Sequence, residues 1–254
     1  MSTPRPLRVV EAGARRYRHT WRASVISSFL NPLLLLVAMG IGLGSLVEDG
    51  PEGLRYLTWL APALLAAAAM QTAAGESSYP VMAGIKWIKS YDAALATPIG
   101  VRDLVAGHIG WATVRVTQVS VVFALVMTVF GVTSVSQALL SVVPGVLTGF
   151  AFAGPITAYT SRLQQETGLS SLFRFVIVPL FLFSGTFFPI SQLPGAIRPV
   201  AYATPLWHGV EMARGFALGL EPTLPIAVHA TVLLAVGVGG WLLSVRLLRR
   251  RLVS

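Results

Sequence analysis

The sequence predicts an all-α membrane protein of six transmembrane helices, with an N-terminal cytoplasmic surface helix and short outer re-entrant helices between helices five and six. Three observations predict it. First, the 254-residue chain is 54% hydrophobic and only 11% charged. Soluble domains carry about 25% charged residues, so most of this surface must meet a solvent other than water. Second, the apolar residues fall in blocks close to the ~20 residues that cross a ~30 Å hydrocarbon core as a helix. Third, Lys and Arg gather in alternate connections between those blocks, as they do on the inner side of a membrane. Lipid offers the backbone no hydrogen-bond partner, so the spans must be helices or a closed barrel, and no barrel-type alternation in ~10-residue pieces is present.

The blocks are Ser27 to Leu46, Tyr56 to Ala74, Ala106 to Phe130, Ala138 to Tyr159, Leu172 to Phe188 and Leu224 to Leu247. The first is too long for a signal-peptide core and is read as a retained span. Of nineteen Lys and Arg, fifteen lie on one side: six before the first block, three between the second and third, two around Arg162 and Arg174, and four from Arg246 to Arg251. Only Arg55, Arg198 and Arg214 lie on the other side, and Arg115 lies within the third block. This bias places both termini in the cytoplasm. The chain reads as a single domain, 1–254, of a multi-pass membrane protein.

Three segments outside the spans carry pattern. In 1–25, Val9, Val10, Ala14, Tyr17, Trp21 and Val25 form an apolar stripe, and Arg8, Arg15, Arg16, Arg18 and Arg22 lie mostly off it. This is either a helix lying along the inner membrane surface or a basic tail with flanking anchors. Segment 76–105 is amphipathic around Pro80 to Ala96, a pattern that suits a short helix docked in another protein's groove or packed on its own bundle. Segment 189–222 holds Pro189, Pro194, Pro199, Pro205 and Pro222. It is too apolar for a free loop and too broken for a straight span, so short helices dipping into the outer leaflet are expected.

The net charge of +9 sits beside apolar blocks, where it orients helices and meets anionic membrane lipids, so nucleic acid is not a partner. The chain has no cysteine, hence no disulfide or thiolate chemistry. It has no phosphate-binding G-x-x-x-x-G-K-[ST] loop and no H-E-x-x-H. His19, His108, His208 and His229 lack ligand spacing, and neither a catalytic residue nor a metal site is expected. Gly40 and Gly44, Gly145 and Gly149, and Gly237 and Gly240 thin three spans for close helix packing, within one copy or between two. Arg115 and Gln118 in the third span must face protein or a cavity, or snorkel inward. Glu211 and Arg214, at i,i+3, are expected to pair.

The run Phe181-Leu-Phe-Ser-Gly-Thr-Phe-Phe-Pro-Ile-Ser-Gln-Leu-Pro194, then Thr204-Pro-Leu-Trp-His-Gly-Val-Glu-Met-Ala-Arg214, resembles the membrane subunits of type-2 ABC exporters, in particular nodulation protein J-like and daunorubicin-exporter-like permeases. The stretch Lys89 to Ile99 is similar to the intracellular loop of the same family. The resemblance implies a permease subunit that pairs with a second copy or paralogue and binds two separate ATPase subunits, which carry ATP and magnesium; this chain itself holds no cofactor. It further implies coupling to the ATPase through Glu76, Lys86, Trp87, Lys89, Tyr91 and Asp92, with the surface helix alongside. Arg115, Gln118, Phe183, Phe187, Phe188, Glu211 and Arg214 would line the path or its gate. The phenylalanines lean toward an amphipathic cargo: a lipid, a lipo-oligosaccharide or a drug. A membrane scaffold without transport, or a lipid-modifying enzyme, are the rival readings. The dispersed acidic residues speak against the enzyme.

Overall fold

The computed structural model describes residues 4–38, 42 and 50–253, with backbone alone at 20, 23–29, 31 and 32. Among the described residues every regular element is helical. Helix α1 is Arg5–Val37, α2 Tyr56–Ser77, α3 Tyr79–Met82, α4 Ser90–Leu95, α5 Val101–Val129 and α6 Val135–Arg162. Helices α7 (Thr167–Leu172) and α8 (Val178–Phe183) flank a π-helical turn, α9 is Arg198–Tyr202, α10 Pro205–Leu218 and α11 Ile226–Leu252.

Four helices among the described residues are long and apolar enough to cross a membrane: Tyr56–Trp87, Val101–Val129, Val135–Arg162 and Ile226–Leu252. They match the second, third, fourth and sixth predicted blocks. The fifth block corresponds to a shorter apolar helical run, Thr167–Phe183, which at 1.5 Å per residue spans about 25 Å. The first block differs from expectation at its start. Helix α1 runs without a break through the expected surface helix into the apolar residues that follow, because no residue from Arg5 to Val25 stops a helix on the way. The far part of that block, with Gly40 and Gly44, lies outside the described residues.

Helix α6 is the hub, touching α2, α5, α10 and α11. Helix α2 is the most enclosed span, with 72% of its apolar window buried, against 22% for α11, which forms the periphery. The reason is visible in α2: Ala63, Ala66, Ala67, Ala69, Ala73 and Ala74 are all fully buried, and such small side chains let neighbouring backbones approach. The closest approach is the α6–α11 crossing. A Cβ on Gly240 would lie 2.3 Å from the Pro155 nitrogen, and one on Gly154 would lie 2.7 Å from the Gly237 carbonyl oxygen. Ser244 Oγ donates to the Gly154 carbonyl at 2.9 Å and fastens the same seam. Gly145 and Gly149 likewise admit Leu65, Ser120 and Val116, so these small residues serve packing within the chain.

The two ends differ. At one end meet the start of α1, the turns after α2, the α6–α7 connection and the last turn of α11. Lys86 Nζ donates to the Gln164 carbonyl at 2.6 Å, and Arg251 donates to the carbonyls of Ser161 and Leu163 at 2.6 and 2.8 Å. This end collects the basic connections and is called the inner end below. At the outer end, α9 and α10 cover the start of α2. Thr204 caps α10 by accepting from the Trp207 amide at 3.3 Å, with Pro205 in the first turn, the pattern that begins a helix abruptly.

Candidate functional site

At the inner end, α2 stops at Ser78, whose φ/ψ of −104/−92 leaves the helical region. The chain restarts as α3, passes a π-helical turn over Ala83–Trp87, and bends again at Lys89, which takes a left-handed φ of 52. These breaks fold the segment into a tip. Lys86, Trp87, Ile88, Lys89 and Asp92 are exposed on it, Trp87 by 48% and Ile88 by 66%. Tyr91 turns the other way and is buried. Its ring packs where a Cβ on Gly84 would come within 2.6 Å, so Gly84 is the residue that admits it. Burial pushes the Tyr91 phenol above its usual range, against an opposing pull from Arg16. The hydroxyl therefore keeps its proton, and it stands 3.2 Å from His108 Nδ1 on α5, within hydrogen-bond distance.

Above this pair sits a polar joint between three helices. Arg115 Nε on α5 meets Glu76 Oε1 at the end of α2 at 3.1 Å. The same guanidinium donates to Gln118 Oε1 and lies 4.2 Å over the Tyr17 ring of α1. Gln118 Nε2 reaches the Tyr17 hydroxyl at 2.9 Å, and Trp111 meets the Tyr17 ring edge-on at 5.8 Å. Glycines let α1 come this close: a Cβ on Gly107 would lie 2.5 Å from the Pro6 carbonyl, and one on Gly13 2.7 Å from the Trp111 ring. Arg15, Arg16, Arg18 and Arg22 stay exposed on α1, Arg22 at 5.7 Å over Trp21.

At the outer end Arg214 plays the corresponding part. Its guanidinium lies 3.5 Å over the Trp59 ring and donates to the carbonyls of Gly185, at 2.8 Å, and Trp59, at 3.3 Å. Gly185 presents that carbonyl from a left-handed turn with φ 80, which glycine adopts without strain. The expected pairing with Glu211 is present only at 4.0 Å. Glu211 instead accepts from the amide and hydroxyl of Thr223, at 3.0 and 2.7 Å. Tyr56 Oη donates to the Phe187 carbonyl at 3.0 Å. Phe187 meets Phe181 edge-on at 4.9 Å and Phe188 meets Phe183 at 6.4 Å, while Phe183 itself is 44% exposed. Arg214→Lys is expected to lower stability by about 1–2 kcal/mol, because a lysine cannot stack on Trp59 and serve two carbonyls at once. Thermal unfolding of the solubilised protein measures it, and an unchanged midpoint would show that the planar fork is dispensable.

The structure therefore joins Glu76, Arg115 and Gln118 in one network and Arg214, Phe187 and the outer turn in another. It leaves Lys86, Trp87, Lys89 and Asp92 on a separate exposed face. The sequence reading had not singled out Tyr17 or His108 as partners in the joint. It also missed a buried contact between His208 and His229, whose Nδ1 atoms stand 2.8 Å apart with Trp207 packed on both. The two lie 21 residues apart on the consecutive helices α10 and α11, so no spacing rule reveals the pair. No group of three or more His, Cys, Asp or Glu that could hold a metal occurs among the described residues.

A multi-pass, all-helical membrane-embedded protein with one buried arginine fastening each end is the class that this architecture defines. Residues 8–218 match the ABC-2 type transporter family. The chain belongs to that family. It is similar to "Nodulation protein J" of Rhizobium meliloti (strain 1021), 30% identical over 243 residues that cover 94% of this chain and 92% of that protein. The protein of that name from Sinorhizobium fredii (strain NBRC 101917 / NGR234) is 31% identical over 247 residues, with the same coverage. The inner membrane transport permease YadH of Escherichia coli (strain K12) is 21% identical over 237 residues, covering 92% and 91%.

Proposed function

We propose that this chain is the permease subunit of an ATP-driven exporter, with both termini in the cytoplasm of a bacterial cell and six spans, the first beginning within α1 and the fifth being Thr167–Phe183. Two such subunits, alike or paralogous, would form the path, and two partner ATPases would bind and hydrolyse ATP with magnesium. One observation carries the reading. The exposed tip around Trp87 is built on the same short segment as Tyr91, which is hydrogen-bonded to α5 seven residues before Arg115. A push on the tip thus has a short route of rigid contacts into α5, α2 and α1. ATP would draw the two ATPases together, the tips would follow, and the bundles would shift as bodies to open the seam outward.

An amphipathic cargo is favoured by the apolar character of the outer and lateral surfaces. Phe175, Val176, Val178, Leu182 and Phe183 are exposed in one run. Beside it lies a largely apolar groove of about 460 Å³ between α6, α7 and α11. The relatives support the permease role rather than a cargo, one being named an inner membrane transport permease.

The test is co-purification with an ATPase subunit, followed by ATP hydrolysis in lipid with added lipids or drugs. Trp87→Ala combined with Asp92→Ala is expected to weaken ATPase binding by about 2 kcal/mol, roughly 30-fold, as loss of an exposed aromatic anchor does. The unfolding midpoint of the permease alone should stay unchanged, since neither side chain is buried. Normal binding and normal stimulation in this variant would remove the tip from the coupling path. Failure of the folded, monodisperse protein to bind any ATPase would favour the scaffold reading.

A further inference from the structure

A cavity of about 240 Å³ opens at the inner end between α1, the α2–α3 turn, α4 and α5. Its chemistry comes from Arg16, Tyr17, Tyr91, His108 and Arg115, with Glu76 and Trp111 completing the wall. Two guanidiniums face one carboxylate, and that carboxylate is already held by Arg115. Among the described residues the ion pairs are Arg115–Glu76 and Arg214–Glu211, so Arg16 adds a positive charge with no carboxylate against it. His108 Nδ1 stands 3.2 Å from the Tyr91 hydroxyl, and the imidazole tautomer decides which of the two donates. Its Nε2 is buried with no close hydrogen-bond partner among the described residues, the Glu76 backbone being the polar group nearest in effect to the ring, and a buried ring nitrogen without a close partner is costly. The cavity thus combines a surplus positive charge with a buried ring nitrogen that lacks a close partner. This set suits an oxyanion of high charge density.

We infer that this cavity binds the phosphate group of an anionic phosphate ester and so ties α1 to α4 and α5. Two features favour a lipid headgroup as the source. The wall includes Trp111 and Tyr17, side chains that settle at a membrane's headgroup level. Arg16 lies on the exposed basic face of α1, where anionic lipid is attracted. A free phosphate ester offers the same chemistry. The inference does not depend on the exporter reading, since it concerns occupancy of this chain alone.

The experiment uses the full chain, delipidated in detergent. Retention of phosphatidylglycerol and of phosphatidylcholine is compared by native mass spectrometry, and thermal unfolding is followed in inorganic phosphate and in chloride at equal ionic strength. Arg16→Gln removes the charge at the cavity, Arg16→Lys keeps it, and Arg18→Gln removes an equal charge elsewhere on α1. Phosphatidylglycerol is expected to be held in preference to phosphatidylcholine, with affinity falling about tenfold in Arg16→Gln. Arg16→Lys should retain most of the affinity and Arg18→Gln nearly all of it. If inorganic phosphate alone stabilises the parent chain but not Arg16→Gln, and lipid is not retained, the ligand is a soluble phosphate ester and the site stands. Equal losses in Arg16→Gln and Arg18→Gln would mean a diffuse surface charge effect and overturn the site. So would indifference of the parent chain to both phosphatidylglycerol and phosphate.

Discussion

Replacing Glu76 with alanine is expected to lower the stability of the solubilised protein by about 2–3 kcal/mol. The origin is the Arg115 guanidinium, whose side chain is only 9% exposed and whose carboxylate partner at 3.1 Å would be gone. Removing one member of a buried pair strands the other, which costs more than the pair contributed. Glu76 is itself 22% exposed, so water partly compensates and the lower end of the usual range applies. Gln118 and the Tyr17 ring remain as partners and soften the loss without replacing a charge. Three variants separate the causes. Glu76→Gln keeps an acceptor and should lose less. Arg115→Met strands the Glu76 carboxylate instead, but at 22% exposure that group is partly hydrated, so the loss should be smaller than in Glu76→Ala. The double variant Glu76→Leu/Arg115→Met should recover most of the stability lost in Glu76→Ala, since an apolar replacement leaves nothing uncompensated. Thermal unfolding monitored by size-exclusion recovery reads all of them. A Glu76→Ala midpoint equal to that of the parent would show that Arg115 does not need the carboxylate.

A larger effect is expected at the α6–α11 seam. Gly240→Leu places a Cβ 2.3 Å from the Pro155 nitrogen and 2.6 Å from the Gly154 carbonyl carbon. These are backbone atoms, so no rotamer change relieves the overlap and α11 must move away from α6. Doing so uncouples Ser244 from the Gly154 carbonyl and opens a gap along the crossing. The cost should exceed ~3 kcal/mol, the upper part of the range for overpacking, and most of the product should fail to appear as a monodisperse peak. Gly239→Ala is the matched control: it lies one residue away on the same helix, and its Cβ would meet nothing within 4 Å. If both variants behave alike, the seam is looser than its glycines imply.

The spans were readable because lipid imposes one demand on every residue of a span, and a run of apolar side chains records it. Helices α2, α5, α6 and α11 follow from that demand alone. Their ends moved for local reasons. Helix α5 begins at Val101, before the expected Ala106, because Asp103 Oδ2 accepts from the Gly100 amide at 3.1 Å and starts the helix in its polar approach. The unbroken α1 was hidden because the change from a basic to an apolar sequence resembles a boundary, although nothing in it breaks a helix. Arg115 and Glu76 were both marked as notable, but pairing residues 39 positions apart needs the tertiary approach of α2 to α5. For Glu211 and Arg214 the i,i+3 rule named a contact that tertiary competition weakened. Trp59 and Gly185, remote in sequence, offer the guanidinium an aromatic face and a carbonyl at shorter range than Glu211 does.

The clamp of Arg251 on the carbonyls of Ser161 and Leu163 has a consequence for biogenesis. The polypeptide leaves the ribosome in order, and 90 residues separate Ser161 from the arginine that satisfies it. At roughly 5–20 residues per second, the end of α6 waits about 5–20 s for its partner. Throughout that interval α2, α5 and α6 are already made, yet the end of α6 holds open carbonyls at one rim. Closure therefore waits for the synthesis of the end of α11, and a chain released before that point stays marked by the open rim.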